Sequence, residues 1–301
     1  MSLGINSNIT TFDVNQYANM LQLKLQQNES RLRGAVMSGS HFGAQASPVE
    51  QFGPINANKV EGRYQPMVQT DAPTDRRWVF PQDYDLNQLF DTFDKLRLLI
   101  DPTSGMSDNA QRALKRAIDT EILNGLMLTN YTGNAGTSSE TMTTGQSVPV
   151  QQGAASSTNY TVAKMRYARL ILQQNEVDFD ADQIFSAINA TNHDTLLSEM
   201  QVVSTEFNDK PVLVEGKVVR FLGIDLIHTE LVFTGTDDQS TTSTACPVWA
   251  KSGCYLGLWS DIMIKASERN DLRSVPYQVY VKGTFGATRL ELKKVVRLWA
   301  H

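Results

Sequence analysis

The feature that most narrows what this chain can fold into is an alternation close to its end. Residues 289–299 place Leu290, Leu292, Val296 and Leu298 on one parity and Glu291, Lys293 and Arg297 on the other. A period of two is that of a strand, and a single apolar parity predicts one buried face and one wet face. Just upstream, residues 213–225 read as strand, Gly216, strand, Gly223, strand. The last third is therefore strand-rich, and the strongest helical segment lies well before it.

A length of 301 residues with 41% hydrophobic content allows one large domain or two modest ones around a real core. The first residues lack a basic start followed by an apolar run, and no window approaches the ~20 apolar residues of a membrane span. The expectation is a chain that works where it is made, without a membrane. Cys246 and Cys254 lie in one short stretch without partners elsewhere, which fits a reducing compartment and excludes a disulfide framework or a zinc ribbon. Net charge is -5, yet residues 245–301 carry nine Lys or Arg against four Asp or Glu, so this segment is +5 and the remainder -10. Such asymmetry suits contact between complementary surfaces of identical copies, and equally an ordinary solvated strand face.

The chain opens with a helical pattern capped at Asp13, with Val14, Tyr17, Met20, Leu21 and Leu25 near one face. Gly34, Ser38, Gly39, Ser40, Gly43, Ser47 and Pro48 then break regularity, which predicts a helix on a tether whose stripe needs a neighbour to cover it. Residues 58–69 and 76–80 read as the arms of a hairpin around a polar turn at 70–75, with Lys59, Glu61, Arg63 and Gln65 alternating against Val60, Tyr64 and Met67. A lone two-stranded ribbon is marginal in water, so it is expected to lie on another surface. Residues 86–100 carry Leu89, Phe90, Phe93, Leu96 and Ile100 and stop at Asp101-Pro102.

The best helix follows, capped at Ser107 or Asp108, with Ala110, Leu114, Ala117, Ile118, Ile122 and Leu126 at helical spacing. Asp108 with Arg112 and Lys115 with Asp119 form i,i+4 pairs worth ~0.3 kcal/mol each. Residues 132–159 are dominated by Gly, Ser, Thr, Gln and Ala with one charge, Glu140, and read as a long surface loop. A helix over 161–175, a strand over 184–188 and a helix capped by Asp194 and running through Val203 come next. Strands are expected over 212–214, 217–222, 225–232, 248–258, 261–266 and 277–282. A Ser/Thr loop covers 235–244, and Gly283 and Gly286 turn the chain into the closing strand. The class is α+β, without an internal repeat.

Catalytic motifs are lacking. The Gly-rich residues 133–137 are not followed by Gly-Lys-Ser/Thr. Asp178, Asp180 and Asp182 match the start of a calcium loop, but Gln183 and Asn189 replace the glycine and glutamate it needs. His41, His193, His228 and His301 are scattered without ligand spacing, and there is no Gly-x-Ser-x-Gly elbow. No cofactor, metal site or catalytic residue is expected.

The order of parts resembles the Hong Kong 97-type major capsid proteins of tailed bacteriophages. The residues that carry the likeness are 59–80 as extended loop, Asp101-Pro102 leading into 107–126 as spine helix, and 183–188 with Leu196-Leu197 in the axial domain. They continue with Val214-Glu215-Gly216, Leu222-Gly223-Ile224, Trp249-Ala250-Lys251 and the closing segment 289–299. The resemblance implies an N-terminal arm (1–54), an extended loop (55–84), a peripheral domain with the spine helix (85–154), an axial domain (155–261) and a return to the peripheral domain (262–301).

It also implies a non-enzymatic subunit that self-assembles as hexamers and pentamers into an icosahedral head shell, in a virion assembled in the bacterial cytoplasm. Family members with a cleaved scaffolding domain carry it ahead of the arm. The early arm here therefore implies a separate scaffolding protein, while the resemblance as a whole implies a portal and non-specific contact with double-stranded DNA and leaves open whether a decoration protein binds. Intersubunit contacts are assigned to Tyr17, Leu21 and Leu25 of the arm and to Lys59, Arg63, Arg76 and Arg77 of the loop. Two rival readings stay open, an encapsulin-type compartment shell of the same fold and a soluble hydrolase with a non-local site.

Overall fold

The computed structural model describes residues 25–43, 46–60, 62–64, 66–91, 103–199, 218–273 and 275–301. Its central element is the helix α1 (Thr103–Met127), which starts about one turn earlier than its periodicity predicts. Ala110, Leu114, Ile118, Ile122 and Leu126 are all buried along its length, as their spacing of four requires. Two apolar clusters divide that stripe. Ala110 and Leu114 pack with Val279 and Val281, while Ile118, Ile122 and Leu126 join Trp249, Phe285, Val295 and Trp299.

The first surface under α1 is a four-stranded sheet ordered β1 (Met37–Ser40), β13 (Cys254–Glu268), β14 (Tyr277–Arg289), β4 (Gln82–Phe90). Two glycines let backbone meet backbone here. A Cβ on Gly125 of α1 would sit 2.8 Å from the Ala287 carbonyl carbon, and one on Gly286 would sit 2.1 Å from the Phe80 carbonyl oxygen. Gly283 and Gly286 lie inside β14 and mark close approach, where a turn was expected. Leu86, Leu89 and Phe90 are strand residues, and the rest of that apolar run lies outside the described residues.

The second surface is a sheet ordered β7 (Ser147–Val148), β15 (Val295–Ala300), β12 (Thr242–Ala250), β8 (Ile184–Ile188), β10 (Ile224–His228), β9 (Arg220–Phe221), with β11 (Phe233–Thr236) paired to β12. On its far side lies α2 (Val162–Gln174), capped by Thr161. Val296 and Leu298 point into the α2 cluster with Met165, Ala168 and Leu172, whereas Val295 and Trp299 point into the α1 cluster. The expected wet face is therefore absent, because this sheet is a wall shared by two cores. The strand is also shorter than expected, since Leu292–Lys294 form a 3-10 turn between β14 and β15. The final segment thus divides between two sheets. Buried Lys164 of α2 fastens the β15 end by donating to the Trp299 carbonyl (2.8 Å) and the Thr158 carbonyl (2.5 Å). Burial pulls its amine down to about 8.

A third sheet, β2 (Ser47–Phe52), β3 (Thr74–Val79), β5 (Asn130–Thr132), β6 (Ser138–Glu140), stands beside the first. The ribbon arms are β2 and β3, in register from Ser47–Val79 to Phe52–Thr74. The described residues between 53 and 73 form no strand, so the connection is far longer than the expected turn at 70–75. The polar stretch 132–159 holds β6, β7 and the buried Val148 and Val150 instead of one loose loop. Residues 235–244 likewise contribute to β11 and β12.

Helix α3 (Ala190–Ser198) is capped by Asn189, whose side chain accepts the Asn192 amide at 3.0 Å, so Asp194 lies within the helix. Cys246 and Cys254 are free and buried, and burial pushes both thiols up to about 12, which leaves them unreactive.

The expected flexible tether is the largest departure. Leu32, Ala35 and Val36 are buried in the α1 cluster, β1 pairs in parallel with β13, and Trp249 Nε1 donates to the Ala35 carbonyl at 2.9 Å. Gly39 serves packing, since a Cβ there would overlap the Tyr255 hydroxyl.

Leu114→Ala should cost about 2–5 kcal/mol and lower the melting temperature of the unassembled subunit. Lys115→Ala, which loses only a surface pair with Glu29 (2.7 Å), should cost no more than about 1 kcal/mol. Equal melting temperatures in a thermal scan would overturn this packing.

Candidate assembly surfaces

Two segments of the chain are anchored at α1. The first is the N-terminal segment. Asp119, fully buried, faces this segment and not Lys115, its expected i,i+4 partner. Its carboxylate accepts from Gln27 Nε2 (2.5 Å), Ser30 Oγ (2.5 Å) and the backbone amides of Arg31 (3.0 Å) and Leu32 (3.2 Å). A buried carboxylate needs such donors to offset lost hydration. Lys115 pairs with Glu29, and Gln26 bridges Asn109 and Arg116 at 3.0 and 2.9 Å. Leu25 is fully exposed beyond this anchor. Tyr17 and Leu21, assigned with it to the arm stripe, lie outside the described residues.

The second segment is the β2–β3 ribbon and the loop it carries. Val60, Tyr64, Met67 and Val68 are exposed, with Tyr64 and Met67 at 102% and 100%. Lys59 and Arg63 are exposed on the same loop. Arg76 and Arg77 sit at its root and have partners within the chain. Arg76 donates to Glu50 (2.9 Å) and Asn134 (3.2 Å), and buried Arg77 donates to Glu140 at 2.5 Å.

Glu140 belongs to a cluster that sequence reading missed. Fully buried Arg289 donates to the carbonyls of Leu126 (2.7 Å) and Glu140 (3.2 Å). Its guanidinium thus occupies the carbonyl end of α1, where a cation is favoured. Burial pulls its pKa below the usual arginine value, and the Glu140 charge opposes that shift. Each of these contacts spans more than sixty residues of sequence, so no local signal could have revealed it.

The aspartates, the Gly-rich stretch and two of the histidines singled out in the sequence serve turns and packing contacts. Asp178 Oδ1 accepts the amides of Asp180 and Ala181 at 2.8 and 3.3 Å, a turn device, and Asp182 accepts from Ser252. Residues 133–137 are the turn between β5 and β6, with Trp78 donating to the Gly133 carbonyl at 2.7 Å. His41 lies between Ser47 Oγ (2.7 Å) and Tyr255 Oη (2.9 Å), and burial lowers its pKa. His193 is inside α3 and accepts the Val218 amide at 3.2 Å. Among the described residues no three His, Cys, Asp or Glu side chains form a metal-binding group, and no helix is long and apolar enough to cross a membrane.

The chain is similar to solved capsid structures. The capsid of cyanophage P-SCSP1u superposes with a TM-score of 0.76 at 13% identity, over 99% of this chain and 97% of that one. The capsid of cyanophage Pam1 gives 0.74 at 12%, over 100% and 99%. The capsid of a native GTA particle gives 0.70 at 10%, over 98% and 99%. At these identities the likeness establishes the fold, which is Hong Kong 97-like. No curated protein matches the chain. The family model described as phage capsid protein matches residues 9–300, so the chain belongs to the phage capsid protein family and is a major capsid protein of the virion shell.

Proposed function

We propose that copies of this chain assemble as hexamers and pentamers into a closed icosahedral head, as a purely structural subunit, with the arm and the ribbon loop as the devices that join neighbours. The observation that carries the reading is the loop of residues 53–73. It exposes Val60, Tyr64, Met67 and Val68, and apolar side chains projected this far need cover from another surface. An adjacent copy supplies such cover, and interfaces of this obligate kind commonly exceed about 2,000 Å². Lys59 and Arg63 would then meet carboxylates of the neighbour, and Tyr17, Leu21 and Leu25 would clamp a second one.

In this reading residues 1–54, 55–84, 85–154, 155–261 and 262–301 remain the working division into arm, extended loop, peripheral domain, axial domain and return, with β15 joining the axial sheet. A separate scaffolding protein, a portal and packaged double-stranded DNA complete the assembly in the bacterial cytoplasm. A net charge of -5 suits a wall along which polyphosphate slides without tight binding. Negative-stain imaging of the expressed chain, alone and with its scaffolding protein, tests the proposal. Closed particles of uniform diameter are expected, and a monodisperse monomer under all conditions would defeat it.

Deletion of residues 1–24 should leave a soluble subunit with an unchanged melting temperature that fails to close shells, because Leu32 and the donors to Asp119 are retained. Normal particles from this variant would refute the clamp.

The two arginines should behave differently on charge reversal. Arg76→Glu removes an exposed pair worth about 0–1 kcal/mol, so it should raise the subunit concentration needed for assembly without changing the melting temperature. Arg77→Glu sets a carboxylate against Glu140 in a buried site and should destabilise the subunit itself by about 3–5 kcal/mol. Melting scans beside light-scattering assembly curves separate the two effects. An Arg76 variant with an unaltered threshold at low salt would remove it from the interface.

A further inference from the structure

The geometry points to a proton-operated latch on the N-terminal segment, in which Arg31 reads the protonation state of His228. Arg31 Nη1 lies 2.9 Å from His228 Nδ1, and His228 Nε2 lies 2.9 Å from Glu230 Oε1. A guanidinium only donates, so Nδ1 must accept and the ring proton must sit on Nε2, aimed at the carboxylate. The neutral ring therefore bridges a cation and an anion in the one tautomer that satisfies both.

Protonation breaks this arrangement on one side only. The added Nδ1–H would point at the guanidinium, placing two donors and two positive charges face to face. The Nε2–H would keep Glu230, now as a charged pair. Glu230 is itself held, because its Oε1 also accepts the Ala190 amide at 2.8 Å, at the positive end of α3. The ring thus stays with Glu230, and Arg31 is the group displaced. One Arg31 contact does not titrate, the Nη1 donation to the His228 carbonyl at 2.5 Å, so the latch loosens without letting go entirely.

The displacement has a path into the arm. Arg31 and Leu32 are the residues whose amides donate to Asp119. Among the described residues, His193 lines the same cavity of about 700 Å³ as Arg31 and His228, and the Asp119 carboxylate lies behind them on the Arg31 amide. Arg31, His228 and Glu230 come from the N-terminal segment, from β10 and from the residues just after it, so the latch connects the root of the arm to the sheet that holds α2 and α3.

Hydrogen exchange of the full-length subunit tests the latch, read at the Arg31 and Leu32 amides between pH 7.5 and 5.5, where histidine ordinarily titrates, and corrected for intrinsic rates. Protection in the native chain should fall about two- to fivefold, the scale of an exposed charge contact. In His228→Gln protection should be independent of pH. Arg31→Gln should likewise abolish the pH dependence, even where protection is lower throughout, and it keeps the test decisive if the His228 variant folds poorly. Constant protection in the native chain would overturn the proposal. So would a pH dependence that survives either substitution, which would assign the effect to another group such as the Asp119 carboxylate.

Discussion

Burial of α1 on two unlike surfaces is the constraint from which the rest of the structure follows. Its stripe faces the β13–β14 pair with Ala110 and Leu114, then the inner side of the β12–β15 wall with Ile118, Ile122 and Leu126. Each buried Leu or Ile side chain contributes roughly 1.5–3 kcal/mol, so the four on this rod form a large share of the stability of a marginally stable domain. A straight helix touching two sheets must hold them at a set relative position. Gly125 enforces the closest contact, because any side chain there would meet the Ala287 backbone.

The same helix explains why so little sequence identity preserves the architecture. What α1 requires of its surroundings is apolar volume at matching positions, one backbone approach without a side chain, at Gly125, and polar groups for Asp119 and for its carbonyl end. Burial patterns of that kind are met by many sequences. Superposition over nearly whole chains at 13% identity or less is the outcome expected when pattern, and not residue identity, is under constraint.

Legibility in the sequence divided along the same line. α1 and α2 were readable because helical periodicity is local, and Thr161 is a local cap for α2. The parity of Val296 and Leu298 was also readable, and it did identify the face toward α2. The other face was misread because Arg297 and Lys293 mask Val295 and Trp299, whose partners on α1 lie far away in the chain. Gly39, Gly283 and Gly286 looked like breakers, yet each marks a neighbour pressed against the backbone, and a neighbour cannot be inferred from the glycine alone. The ribbon was displaced in the reading because Lys59, Arg63 and Gln65 alternate convincingly, while the true arm Ser47–Phe52 is defined by pairing with Thr74–Val79 across the loop. Of the seven residues assigned to contacts, Arg77 is the one whose burial charge alone does not reveal. A basic residue at a ribbon root reads as exposed, and only the placement of Glu140 shows why it is buried.

Both segments reach α1 through buried charges, and the N-terminal one through apolar contact as well, with Leu32, Ala35 and Val36 in the α1 cluster. The arm enters through Asp119 near the middle of the helix, and the ribbon root enters through Arg77, Glu140 and Arg289 at its carbonyl end. A buried charge that loses its partner is costly at once, and its hydrogen bonds are directional. Fastening both segments by directional, desolvated contacts therefore makes their exit directions stiff with respect to the helix. In a subunit of a capsid shell, stiffness at these two roots fixes the directions in which the chain leaves the body toward the loop and toward residue 25.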